Sequence, residues 1–254
     1  MKKICTTGSM LAILLTLAAS AAANSCIGCH SDADFYARFP RLYNYYQDWI
    51  ESPHSQAGVT CDECHGGDPD GAEIASAHKG MFPVNNSRSS LYFSRQPATC
   101  GACHADKQAE FEQSKHFGAL ESEIGAAPTC TTCHPAMNRR PTYQTIVLNA
   151  CTTCHQQGNR QGLPLIVDEA EELLRSINVS KGMLGWATLH FSSHKWPGDS
   201  RETMRDLEQR YARIVDQVHR FDLQESDRAI RELLAELRNM FEAERRSKGV
   251  GPQN

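Results

Sequence analysis

The sequence predicts a mainly α-helical protein with little regular sheet, built in two consecutive parts. Residues 24–163 hold five copies of the pattern Cys-x-x-Cys-His, separated by turn-rich segments. From residue 164 to residue 254 these copies stop, and apolar residues recur at steps of three and four, which is typical of amphipathic helices. The pattern therefore predicts a cysteine-rich domain followed by a helical C-terminal region that contains an αα-hairpin.

The repeated pattern has the spacing of a c-type haem attachment site. Two thiols at positions i and i+3 add across the two vinyl groups of one porphyrin, and the histidine that follows reaches the iron from the same side. The five copies use ten of the eleven cysteines, namely Cys26 and Cys29, Cys61 and Cys64, Cys100 and Cys103, Cys130 and Cys133, and Cys151 and Cys154. Their histidines, the expected first axial ligands, are His30, His65, His104, His134 and His155. We therefore expect five covalently attached haem c groups.

Two other chemistries also use paired cysteines. Structural zinc takes four ligands from two such pairs, but it gives no reason for a histidine after every pair. A disulfide framework suits an exported chain with an even number of cysteines, but five identical spacings that each end in histidine would then be accidental. Haem attachment accounts for both the spacing and the histidine.

Six histidines lie outside the motifs, and five irons need a second axial ligand if each is six-coordinate. The predicted second ligands are His54, His78, His116, His190 and His194. His219 stands beside Arg220 among charged helical residues and is expected at the surface. His190 and His194 are four residues apart and so share one helical face, from which they are expected to bind two different haems; alternatively, one binds iron while the other only supports it.

Residues 1–23 are typical of a secretory signal peptide. A short basic start precedes an apolar run that closes on three alanines, a small-residue cleavage pattern. The alternative is an uncleaved membrane anchor, because the apolar run approaches the length of about 20 residues that spans a bilayer. Both interpretations predict an exported protein in the periplasm, which in the second case is also membrane-associated.

The mature chain has too few residues to build a conventional core around each cofactor. Five haems divide about 231 residues into about 46 residues each, so the haems themselves are expected to form the core. Aromatic residues crowd between residues 32 and 50, where Tyr36, Phe39, Tyr43 and Tyr46 suit one helical face. These side chains can pack on porphyrins or relay electrons. With a formal net charge of -4, nothing in the sequence suggests a nucleic-acid partner.

Two apolar stripes near the C-terminus predict the αα-hairpin. The first runs from Met204 to Phe221, and the second runs from Ile230 to Phe241. A short polar turn joins them, so the two helices are expected to be antiparallel. The hairpin is expected to pack on the haem domain, on a second copy of the chain in a homo-oligomer, or on both.

The runs SPHSQAGVTCDECHGG, CGACHADKQAEFEQSKHF and PTCTTCH resemble the multihaem cytochromes c of bacterial respiration. This broad group includes the pentahaem electron donor of nitrite reductase and the hydroxylamine oxidoreductase and octahaem reductase relatives. The resemblance extends from Ser25 to about Trp196. It implies anaerobic respiratory electron transport between a membrane quinol-oxidising dehydrogenase and a terminal reductase. The Cys-x-x-Cys-Lys motif that many pentahaem nitrite reductases carry at their catalytic haem does not occur in this chain.

Two functions from different classes follow. In the first, the protein is a periplasmic electron carrier without catalytic residues, in which every iron has two histidine ligands. In the second, it is a small reductase of nitrite, hydroxylamine or a sulfur oxyanion, in which one haem keeps an open face. The carrier is the preferred interpretation, and an electron-conducting polymer of the same unit is a third.

Overall fold

The computed structural model describes residues 24–122, 127–135, 142–158, 163–193 and 200–247. The predicted signal segment, residues 1–23, and His194 lie outside these residues. Within them the chain is helical and contains no β-strand, in agreement with the predicted fold class. Every helix in these ranges is too short or too polar to cross a lipid bilayer.

The N-terminal part consists of short helices joined by turns. They are α1 (Ser25–His30), α2 (Ala33–Arg38), α3 (Pro40–Ile50), α4 (Pro53–Gln56), α5 (Cys61–His65), α6 (Ile74–Ala77), a 3₁₀ turn (Phe93–Arg95), α7 (Gln96–Gly101), α8 (Ala105–Phe111), α9 (Lys115–Glu121), α10 (Cys130–Cys133), α11 (Tyr143–Ile146), a π-helical turn (Val147–Cys151) and α12 (Thr152–His155). Helices this short are marginal without tertiary support, so their geometry depends on what packs between them.

The C-terminal part is a bundle of three long helices. These are α13 (Val167–Ser193), α14 (Ser200–Gln217) and α15 (Leu223–Ser247), with a 3₁₀ turn at Val218–Arg220 between the last two. Helices α14 and α15 form the predicted hairpin. The buried core of the bundle comprises Leu173, Leu184, Ala187, Met204, Leu207, Ile214, Ile230, Leu233 and Leu237. All three helices contribute to it, so the hairpin buries its apolar stripes against α13.

The aromatic stretch near the N-terminus is split between two helices, where the sequence pattern suggested one face. The break falls at Phe39 and Pro40, since proline fixes φ and favours a helix start. The ring contacts nevertheless continue across it, with Tyr36 and Tyr43 4.9 Å apart between ring centroids. Phe35 instead packs on His30 at 4.5 Å. The aromatic side chains of α2 and α3 therefore border the first motif.

The bundle contacts the N-terminal part through the turn between α14 and α15. Lys107 of α8 forms an ion pair with Asp216 at 2.7 Å, and Glu110 of α8 binds Arg220. Beside them the rings of Phe111 and Phe221 meet edge to face at 6.3 Å between centroids. This combination of charge pairs and ring contacts fixes the hairpin turn against the segment that follows the third motif.

Substitution of Leu233 by alanine is expected to destabilise the bundle by about 2–5 kcal/mol, because Leu233 is fully buried and the change leaves a cavity. Denaturant unfolding followed by far-UV circular dichroism measures the loss. The control is Lys181→Ala on α13, where the side chain is exposed and the expected change is within about 0.5 kcal/mol. Equal effects of the two substitutions would contradict this assignment of the core.

Candidate haem-binding site

The cysteines of each motif lie on or beside a short helical turn, and capping residues set where several of these turns begin. Asn24 caps α1 by accepting from the backbone N–H of Cys26 at 3.0 Å. The N–H of Thr60 donates to Glu63 at the start of α5, and the N–H of Thr129 donates to the hydroxyl of Thr132 at the start of α10. Such caps satisfy N–H groups that the first helical turn leaves unpaired. They position two thiols one helical turn apart.

The first two motifs lie side by side. Helices α1 and α5 pack together, and the side-chain amide of Asn24 donates to Asp62 at 3.0 Å. Burial, and then the charge of Cys26, raise the pKa of Cys61 to about 11. The thiols of the two motifs are therefore close enough to interact electrostatically.

Hydrogen bonds also connect the second motif to the third. The hydroxyl of Ser90 donates to the carbonyl of Cys64 at 2.5 Å, and Thr99, which precedes Cys100, donates to the carbonyl of Ser90 at 2.7 Å. Burial and then the charge of Cys100 raise the pKa of Cys64. The second and third motifs are therefore neighbours as well.

Gln96 is a buried node between the third and fourth motifs. Its side-chain oxygen accepts from the hydroxyl of Thr129, and from the N–H and hydroxyl of Thr131 at 3.2 and 2.9 Å. The thiols of Cys100 and Cys130 interact directly, which lowers the pKa of Cys130 and raises that of Cys100. These contacts bring α7 and α10 together.

The fourth and fifth motifs complete the series. Helix α10 contacts the π-helical turn that ends at Cys151. Burial, and then the charge of Cys151, raise the pKa of Cys133 to about 11. Consecutive motifs in the sequence are thus consecutive neighbours in space, from the first to the fifth.

Four motif histidines have a second histidine ring about 6 Å away. The pairs, with distances between ring centroids, are His30 and His78 at 6.2 Å, His104 and His54 at 6.2 Å, His155 and His116 at 6.0 Å, and His134 and His219 at 6.1 Å. The predicted second ligands His54, His78 and His116 are thus each brought next to a different motif.

This spacing fits an iron atom between the two rings. A bond of about 2 Å from metal to each imidazole nitrogen, with about 1.2 Å more to each ring centre, sets two axial imidazoles about 6 Å apart. His116 adds a second observation, because its Nδ1 is buried and the described residues offer it no hydrogen-bond partner. The donor set of two thiols, a motif histidine and an opposing histidine suits a c-type haem.

Hydrogen bonds fix the tautomer of several paired rings. Nδ1 of His78 lies 2.9 Å from the carbonyl oxygen of Ile74, and Nδ1 of His155 lies 2.8 Å from that of Pro164. A carbonyl oxygen only accepts, so Nδ1 carries the proton and Nε2 keeps the lone pair that binds a metal. Burial lowers the pKa of five histidines, which favours the neutral, metal-binding form: His30, His65, His104, His116 and His134.

The structure places His190 apart from the motifs. Nε2 of His190 is bound to the carboxylate of Glu244 on α15, and its ring stacks on Trp186 at 4.5 Å. Helix α13 begins close to Pro164 beside the fifth motif, and a rise of 1.5 Å per residue puts His190 about 35 Å along it. His190, predicted as an iron ligand, is therefore a bundle residue in this structure.

His219 is less exposed than the sequence suggested. This residue is half-buried and lies beside His134 rather than on the open surface. Its position between Val218 and Phe221, at the end of an apolar stripe, indicated that it could be buried. The charged residues beside it obscured this signal. Among the described residues, His65 is the motif histidine beside which no second histidine ring is placed.

No protein-family model matches the chain, and no solved structure matches it. Among curated proteins it is similar to the C-type polyheme cytochrome OmcB of Geobacter sulfurreducens, in strains DL-1 / KN400 and ATCC 51573 / DSM 12127 / PCA. The identity is 28% over 146 residues, covering 44% of this chain and 19% of each relative. The chain therefore matches about a fifth of the length of these relatives. Together, the attachment motifs and this similarity support a multihaem c-type cytochrome.

Proposed function

We propose that the protein is a periplasmic pentahaem c-type cytochrome that carries electrons between a membrane quinol-oxidising dehydrogenase and a terminal reductase. The observation that carries the proposal is the arrangement of the motifs, in which each one is the spatial neighbour of the next. Haem supplies one-electron redox chemistry when it is bound. An uninterrupted series of attachment sites is what a protein needs to pass electrons along its length.

The chain's own residues provide the other requirements of a carrier. The cysteines would hold each porphyrin covalently, which would keep neighbouring rings at a constant distance. The four histidine pairs would supply both axial ligands to four of the five haems, which would keep out other ligands there and, with histidine in place of a thioether, favour a low potential. The Gln96 node and the Asn24–Asp62 bond hold neighbouring motifs together and so limit rearrangement when the charge changes.

Export and partners are also part of the proposal. The apolar segment at residues 1–23 supports export, and the resemblance to respiratory multihaem cytochromes supports the choice of donor and acceptor. A homo-oligomer through the C-terminal helices is supported by exposed apolar side chains on α13, where Trp186 is 49% and Leu189 is 74% exposed.

Mass spectrometry of the exported protein tests the cofactor content. In a host with cytochrome c maturation we expect five covalent haem additions on a chain that starts near Asn24, because ten cysteines lie in five complete motifs. A variant with Cys151→Ala and Cys154→Ala should carry four. A mass that is explained by zinc or by disulfides would refute the proposal.

A small reductase is the second candidate function, and His65 is the observation that favours it. The described residues place a histidine ring beside each of the other four motif histidines. A haem attached at Cys61 and Cys64 is therefore the candidate for a substrate-binding face. Nitrite or hydroxylamine added to the resting protein should shift a high-spin electron paramagnetic resonance (EPR) signal if this function holds, and should leave the spectrum unchanged if the protein is only a carrier.

A further inference from the structure

The turn between α14 and α15 places a histidine beside the fourth motif. His219 lies in the 3₁₀ turn Val218–Arg220, and its ring centroid is 6.1 Å from that of His134. The two ring planes differ by 25°, whereas the planes in the other three pairs differ by 50° to 66°. The separation equals that of the other pairs, and the near-parallel planes distinguish this pair from them.

Backbone contacts fix the tautomer of His219. Its Nδ1 is 3.0 Å from the carbonyl oxygen of Val215 and 3.1 Å from that of Asp216. Both oxygens only accept, so Nδ1 is protonated and Nε2 is the nitrogen with a lone pair for a metal. His190 shows the opposite pattern, since its Nε2 is the atom engaged by Glu244. Of the two C-terminal histidines that the structure describes, His219 thus has the hydrogen bonding of an iron ligand.

Neighbouring residues hold this turn in place. Phe221 adopts the left-handed conformation, with φ at 59°, and its ring meets that of His116 edge to face at 4.4 Å. A bulky residue with positive φ is strained, so its surroundings must hold it there. Arg220 binds Glu110 and Asp216 binds Lys107, on either side of His219. These contacts fix the position of the turn relative to α8.

We infer that His219 is the second axial ligand of the haem attached at Cys130 and Cys133, opposite His134. The inference rests on the proposed function, because it presupposes histidine-ligated haems. The hairpin turn then serves two neighbouring haems, one through His219 and the other through Phe221, which packs on His116. The C-terminal bundle contributes directly to the redox centre rather than only covering it.

His219→Ala tests the inference, with His190→Ala as the matched control. Optical and EPR spectra of the oxidised His219→Ala protein should show that one haem of the five has changed from low-spin to high-spin. Near-parallel axial imidazoles give a rhombic low-spin EPR signal, so the signal that disappears should be of that type. Added imidazole should restore it. His190→Ala should leave both spectra unchanged.

A second variant tests the same inference if His219→Ala does not fold. His219→Met supplies a thioether, so one haem should stay six-coordinate and rise in potential, because a Met/His pair has a higher potential than a His/His pair. Mass spectrometry separates the two hypotheses. Protein without five haems refutes the proposed function, whereas five haems with a spectrum unaffected by either substitution at position 219 refute the role of His219 alone.

Discussion

Alanine at His54, His78 or His116 is expected to convert one haem of the five from low-spin to high-spin, a different one in each variant. The reason is geometric, because each of these rings lies 6.0 to 6.2 Å from a different motif histidine. Removal of the ring opens one axial position. EPR of the oxidised proteins measures the number of haems that change, and a redox titration measures the accompanying change in potential.

Combining two of these substitutions provides an internal control. His54→Ala with His116→Ala should open two haems, since the two side chains serve different motifs and their effects should add. Covalent attachment keeps every haem in place, so the total haem absorbance should not fall. A single substitution that changed two haems at once, or none, would contradict the pairing of rings observed in the structure.

Removal of the third haem is expected to stop electron transfer from the first haem to the fifth. The variant replaces Cys100 and Cys103 by alanine. Consecutive motifs are neighbours in space, so loss of the third haem leaves the second and fourth haems separated by two inter-haem distances. The rate of electron tunnelling falls exponentially with distance. A photosensitiser attached at Asp34→Cys, an exposed position near the first motif, supplies the electron. The protein also carries His116→Ala, which makes the fifth haem high-spin, so that loss of this haem's oxidised signal shows that the electron has reached it.

Removal of the fourth haem through Cys130→Ala and Cys133→Ala should block the same transfer, while electrons still reach the third haem. Circular dichroism shows whether each variant keeps its helical content. If the electron reached the fifth haem equally fast without the third, a second path that bypasses the third haem would have to exist. The linear order derived from the motif contacts would then be wrong.

The sequence alone predicted the features that are local along the chain. Attachment spacing is dictated by the porphyrin, so the five motifs could be read from cysteine and histidine positions only. The helical hairpin could be predicted equally well, because apolar residues at steps of three and four form one face of a helix, and that face has to be buried. The second apolar stripe was recognised from Ile230 to Phe241, and the helix that carries it extends further at both ends, from Leu223 to Ser247.

Pairing of histidines depends on contacts between distant parts of the chain, and only the tertiary structure decided it. His54 precedes the second motif and lies beside the third, and His78 follows the second motif and lies beside the first. Nearness in sequence therefore does not indicate which motif a second histidine pairs with. His190 and His219 show the same rule. Helix α13 continues for 27 residues and carries His190 away from the motifs, whereas the turn between α14 and α15 brings His219 back to them. A helix length and the docking of a turn are set by packing, which no short sequence pattern encodes.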